Sequence, residues 1–141
     1  MSQQRNANPD RSRTEETSGL TVLLADDEAM IRNLIGPMLR GQGYTVLEAA
    51  DGVEALEIAE RHSGPIHLLL TDWRMPRVDG DGLIRVLSNG HPEMAILVMS
   101  GNMDAGTPYN GPFLSKPFKL QNLLQAVNEA LKGHCQHLTI G

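Results

Sequence analysis

The chain has one cysteine, Cys135, among 141 residues. One thiol cannot build an intramolecular disulfide framework, which suits a reducing cytoplasm. Cys135 sits in a polar tail and is assigned no role. No apolar run reaches membrane-spanning length, and residues 1–18 lack the apolar core of a signal peptide. That same leader is almost devoid of large apolar side chains, so it cannot bury enough surface to offset its ordering entropy. It reads as a disordered leader or linker. There is no excess of basic residues either: the net charge is −5, which argues against a nucleic-acid footprint.

What is present is enough for one domain with a core. Apolar residues make up 40% and charged residues 21%, ordinary values for a globular protein. The acids Asp26, Asp27, Glu28, Glu48, Asp51, Glu54, Glu57 and Glu60 crowd the first half. Glu54, Glu57 and Glu60 read as a solvated helix face.

Short apolar runs alternate with helical periodicity. Leu20–Ala25 reads as a buried strand that stops on Asp26-Asp27-Glu28. Ala29, Ile31, Leu34, Ile35, Met38 and Leu39 then recur at helical spacing, with Asp27 or Glu28 suited to the positive end of that helix. Gly36-Pro37 predicts a kink near residues 33–37, and Gly41 with Gly43 an end. Tyr44–Glu48 is the next strand, Asp51-Gly52 a turn, and Val53–Arg61 a helix. Ile66–Thr71 is the central strand, closed by Asp72, Pro76 and Gly80. Leu83, Ile84, Val86 and Leu87 mark a third helix. Met94–Met99 is another strand, ending on Ser100-Gly101.

Residues 101–110 hold Gly101, Gly106 and Pro108 with little periodicity, which leaves room for about one or two helical turns at most. Phe113-Leu114 is a short fifth strand before Ser115-Lys116-Pro117. The last helix is expected from Lys119 to Leu131, ended by Gly133, with 134–141 a flexible tail. Five strands alternating with helices imply an α/β fold, a parallel sheet covered on both faces.

In such a sheet the strand ends share one edge, where open α/β folds place their ligands. That edge gathers Asp26, Asp27, Asp72, Ser100 and Lys116. Converging carboxylates repel one another and call for a cation. An all-oxygen set favours a hard divalent ion such as Mg²⁺, which shares its site with phosphate oxygens. A lysine and a hydroxyl beside it would neutralise and hydrogen-bond phosphoryl oxygens. A carboxylate beside Mg²⁺ can itself be the nucleophile and form an acyl phosphate. The chemistry therefore points to Mg²⁺-dependent phosphoryl transfer onto Asp72.

The ordered pieces Leu23-Leu24-Ala25-Asp26-Asp27-Glu28, Thr71-Asp72 with Met75-Pro76 and Asp79-Gly80, Met99-Ser100-Gly101 and Phe113-Leu114-Ser115-Lys116-Pro117-Phe118 resemble a receiver domain of two-component signalling systems. The resemblance spans about residues 20–132 and sets the domain at 19–133. It implies a flavodoxin-like, doubly wound five-stranded sheet in the order 2-1-3-4-5. Asp72 then resembles the phospho-acceptor, Asp27 the acid that contacts Mg²⁺ directly, and Asp26 the acid that acts through water. The backbone carbonyl of Arg74 resembles the remaining protein ligand of the metal. Ser100 resembles the switch hydroxyl, Lys116 the lysine that pairs with the phosphoryl group, and Phe113 the switch aromatic. Pro117 resembles the proline that follows a cis bond.

The resemblance also implies a partner, a histidine kinase or histidine phosphotransfer protein, and a domain that assists its own modification without turning over an external product. Too few residues follow 132 for a DNA-binding domain, so output by protein contact is expected, from a cytoplasmic chain without direct nucleic-acid or membrane binding. The family's fourth helix is expected to be shortened or replaced by a loop at 101–110, which puts family-style dimerisation in question and makes a monomer the favoured state. The Met-Ser-Gly and Phe-Leu-Ser-Lys-Pro-Phe wording resembles receivers of hybrid kinases, and a free-standing receiver or a relay intermediate are the alternatives. A phosphatase of the haloacid-dehalogenase type would need a second Asp where Arg74 stands. A flavodoxin-like FMN binder wants a Ser/Thr/Gly phosphate loop after the first strand, whereas Asp26-Asp27-Glu28 would repel the FMN phosphate. A scaffold receiver would be expected to lack part of the acid, hydroxyl and lysine set.

Overall fold

The computed structural model describes residues 19–101, 109 and 111–140. The expected leader at 1–18 lies outside these residues, as does most of the 101–110 segment. Five strands are formed: β1 (Thr21–Ala25), β2 (Thr45–Ala49), β3 (Leu68–Asp72), β4 (Ala95–Ser100) and β5 (Phe113–Ser115). Among the described residues four helices flank them: α1 (Ala29–Gly41), α2 (Gly52–Arg61), α3 (Gly80–Gly90) and α4 (Leu120–Ile140). Every strand pair is parallel, in the order β2-β1-β3-β4-β5. The order reverses between β1 and β3, the switch point at which such sheets open a crevice.

The apolar runs are long on one residue type because both faces of these strands are covered. On β1, Val22 and Leu24 face one side and Leu23 and Ala25 the other. The first pair packs with Ile35 and Leu39 of α1 and Leu123 and Val127 of α4. The second packs with Ala55 and Ala59 of α2 and Leu83 and Leu87 of α3. Leu68, Leu69 and Leu70 of β3 are each fully buried. Truncating one of them to Ala would cost about 2–5 kcal/mol, from lost transfer energy and the cavity left behind.

One boundary differs from the sequence reading. α4 runs through Gly133 to Ile140, where an end and a flexible tail were expected. Glycine is only about 1 kcal/mol worse than Ala inside a helix, and no proline follows to stop it. Pro37 lies inside a single helix, α1. Next to it, the buried Gly36 passes so close to the Glu48 carboxylate that a Cβ would strike it. No helix among the described residues is long and apolar enough to cross a membrane.

Candidate functional site

Parallel register delivers the polar ends of three strands to one edge. Ala25 of β1 stands beside Thr71 of β3, and Asp72 beside Met99 of β4. Asp26 leaves β1 one residue later, and Ser100 ends β4 opposite Ser115. The sequence reading ended the central strand at Thr71; Asp72 is itself its last residue. Asp26 is completely buried, Asp72 and Ser100 are nearly so, and Asp27 is exposed. One carboxylate oxygen from each of Asp26, Asp27 and Asp72 falls within 4.8 Å of the others.

Lys116 reaches into this cluster from the end of β5. Its Nζ donates to Asp26 Oδ2 at 2.9 Å and to Asp72 Oδ2 at 3.0 Å, and also to Glu28 Oε1 at 3.2 Å. Burial works against the ammonium, but its hydrogen bonds to Asp26 and Asp72 and their negative charge outweigh that, and its pKa is raised. The lysine therefore stays charged at every physiological pH. Asp26 moves in the opposite sense for an acid with a cation beside it. Burial raises its pKa, and the lysine and the Glu28 backbone N–H only partly offset that. A carboxylate held dry against its preference is the kind of donor that a divalent cation satisfies. The three carboxylates, all oxygen donors, fit Mg²⁺.

The Lys116–Pro117 peptide is cis, the isomer the resemblance implies, and Lys116 N–H donates to the Ser100 carbonyl at 3.0 Å. The backbone thus ties the lysine to the hydroxyl-bearing residue. Phe113 opens β5 in register with Val98 and is 39% exposed. Arg74 has an exposed side chain, and its N–H donates to Asp72 Oδ1 at 3.3 Å. Gly80 closes the loop leaving Asp72: its N–H donates to the Trp73 carbonyl at 2.8 Å, and a Cβ there would sit 2.5 Å from the Asp72 carbonyl.

Three participants escaped the sequence reading. Glu28 was taken for a helix-end acid, yet its carboxylate makes no cap and turns to Lys116 instead. Arg32 Nη1 donates to the Asp26 carbonyl at 2.6 Å, fixing the chain where it leaves β1. Tyr109 stacks obliquely on Trp73, with ring centroids 5.6 Å apart, and donates its hydroxyl to the Pro112 carbonyl at 2.6 Å. Only Glu28 carried a signal, its place directly after two aspartates. His67 Nδ1 accepts from Thr21 N–H at 2.9 Å at the far end of the sheet.

This geometry has close relatives. The response regulator receiver domain model matches residues 22–128. Sensor kinase CckA of Brucella abortus is 39% identical over 125 residues, 84% of this chain but 13% of that protein. Response regulator receiver protein CpdR of the same organism is 33% identical over 116 residues, 78% of this chain and 95% of CpdR. The chain spans 54% and 56% of the length of two other regulators it resembles. The crystal structure of the receiver domain from hybrid histidine kinase CckA superposes with a TM-score of 0.69 at 37% identity, covering 79% of this chain and 98% of that one. With most of its length matched in sequence, and an acid cluster and lysine carried by a sheet of the same order, the chain belongs to the response regulator receiver domains of two-component systems.

Proposed function

We propose that the chain accepts a phosphoryl group on Asp72 from a phosphohistidine of a histidine kinase or phosphotransfer protein. The observation that carries this reading is the convergence of the Asp26, Asp27 and Asp72 carboxylates, with the Lys116 ammonium bonded to Asp26 and Asp72. Asp26, Asp27, Asp72 and the Arg74 carbonyl would hold Mg²⁺. Bound there, the ion would supply charge neutralisation for the phosphoryl oxygens and the attacking carboxylate.

An oxygen of Asp72 attacks phosphorus as the phosphorus–nitrogen bond to the donor imidazole breaks, and the leaving imidazole takes up a proton. Lys116 exchanges a carboxylate partner for a phosphoryl oxygen, and the Ser100 hydroxyl donates to another. Water later cleaves the acyl phosphate and restores the carboxylate. The domain so assists its own modification and reset, and passes the signal on by protein contact. Arg74 in place of a second acid speaks against a turnover phosphatase.

Trp73, 8% exposed and adjacent to the acceptor, is the reporter. Mg²⁺ should change its fluorescence, and beryllofluoride or acetyl phosphate should change it further only with Mg²⁺ present. A silent wild-type protein, or an undiminished response in Asp72→Ala, would refute the assignment.

A further inference from the structure

A second set of contacts joins the arms of the site from behind. Arg77 follows Asp72 by five residues and has a φ of 70°, in the left-handed region. Val78 N–H donates to the Pro76 carbonyl at 2.8 Å, closing a γ-turn around it. A γ-turn with positive φ is rare and strained for a residue that carries a Cβ, and such strain persists only where the surroundings enforce it. Here Asp51 holds the side chain. Arg77 Nη2 is shared between Asp51 Oδ2 at 2.8 Å and Oδ1 at 3.0 Å.

Asp51 is itself anchored, because its Oδ1 caps α2 by accepting from Glu54 N–H at 2.8 Å. Two residues earlier, the Ala49 carbonyl accepts from Asp26 N–H at 3.1 Å. One residue later, Gly52 lies against the Val78 carbonyl so closely that any side chain would collide with it. The short stretch 49–52 therefore grips both acid-bearing arms: the backbone of Asp26, and the loop that leaves Asp72. Gly80 fastens the other end of that loop at Trp73, and Arg74 lies between the two fastenings.

We propose that Arg77, held by Asp51, is a positioning residue for the metal site, setting in advance the loop that carries the Arg74 carbonyl. This rests on the reading that Asp26, Asp27 and Asp72 hold Mg²⁺. A loop already fixed loses little freedom when the ion binds, so the strap tightens binding without touching the ion. Its charge alone predicts the opposite. A guanidinium near an acidic cluster repels a divalent cation, so deleting it would strengthen binding if charge were all that mattered. The sign of the effect separates the two roles.

Mg²⁺ titration of the full chain, by Trp73 fluorescence and calorimetry, tests it. Arg77→Ala should weaken Mg²⁺ binding about tenfold, the low end for residues that support metal ligands from outside. Arg77→Gly relieves the backbone strain yet should weaken binding similarly, and it keeps the test valid if the Ala variant folds poorly. Arg77→Lys should recover part of the loss. Asp51→Asn keeps an oxygen for the α2 cap, and combining it with Arg77→Ala should add little to either change alone. Equal or tighter Mg²⁺ binding in the Ala and Gly variants, or fully additive losses, would overturn the strap. A wild-type protein that ignores millimolar Mg²⁺ would overturn the metal reading itself, and the strap with it.

Discussion

Lys116 Nζ lies 3.0 Å from Asp72 Oδ2, across 44 residues of chain. The same ammonium holds the fully buried Asp26 at 2.9 Å, so one cation answers two acids. Removing it strands both. Lys116→Ala should lower stability by about 3 kcal/mol in metal-free buffer, since breaking a largely buried ion pair leaves uncompensated charge. Mg²⁺ at about a hundred times its Kd should return about 2.7 kcal/mol by binding only the folded state. Urea denaturation with and without Mg²⁺ measures both; a variant as stable as wild type without metal would show that the lysine does not neutralise the site.

Asp26 carries the opposite liability. Burial raises its pKa above the usual carboxylate value of 3.8, so its charged form works against folding at neutral pH. Asp26→Asn should therefore stabilise the metal-free protein by on the order of 1 kcal/mol at pH 7, while abolishing Mg²⁺ binding. The gain should shrink as the pH falls, because a raised folded pKa lets wild-type Asp26 take up its proton before the unfolded chain does. Thermal melts of both proteins between pH 7 and 4 give the sign directly. A gain that grew on acidification would contradict the burial account.

Gly80→Ala should be among the more damaging single-methyl changes in the chain. The new Cβ would sit 2.5 Å from the Asp72 carbonyl and 2.9 Å from Trp73 Cα, both backbone atoms that cannot swing aside. Overpacking of this sort costs about 1–3 kcal/mol. Because the displaced atoms adjoin the acceptor, Mg²⁺ binding should weaken too. Gly41→Ala, at a helix end where a Cβ meets nothing within 4 Å, is the control and should neither destabilise the protein nor weaken Mg²⁺ binding.

The sequence made the strands legible because β1, β3 and β4 are buried on both faces and so read as unbroken apolar runs. It made Asp26, Asp27, Asp72, Ser100 and Lys116 legible because parallel strands present their carboxyl ends on one edge. What it hid depends on distances across space. Nothing in the pattern reveals that Arg77, on a loop, meets Asp51, 26 residues earlier. Nor does it show that Tyr109 lies on Trp73, or that Glu28 turns to Lys116 rather than to its own helix. Gly133 misled for a local reason: glycine ends a helix only when other features also favour stopping.

β5 has three residues and a single neighbour, β4, and from its end hangs Lys116. The acids spring from β1 and β3 in the middle of the sheet, walled in by helices on both sides. Negative charge is thus rooted in the interior, while the positive charge that offsets it is slung from an edge strand that is also the shortest. The tether between that rim and the acceptor is a single ammonium, bridging from the end of β5 to Asp72 at 3.0 Å.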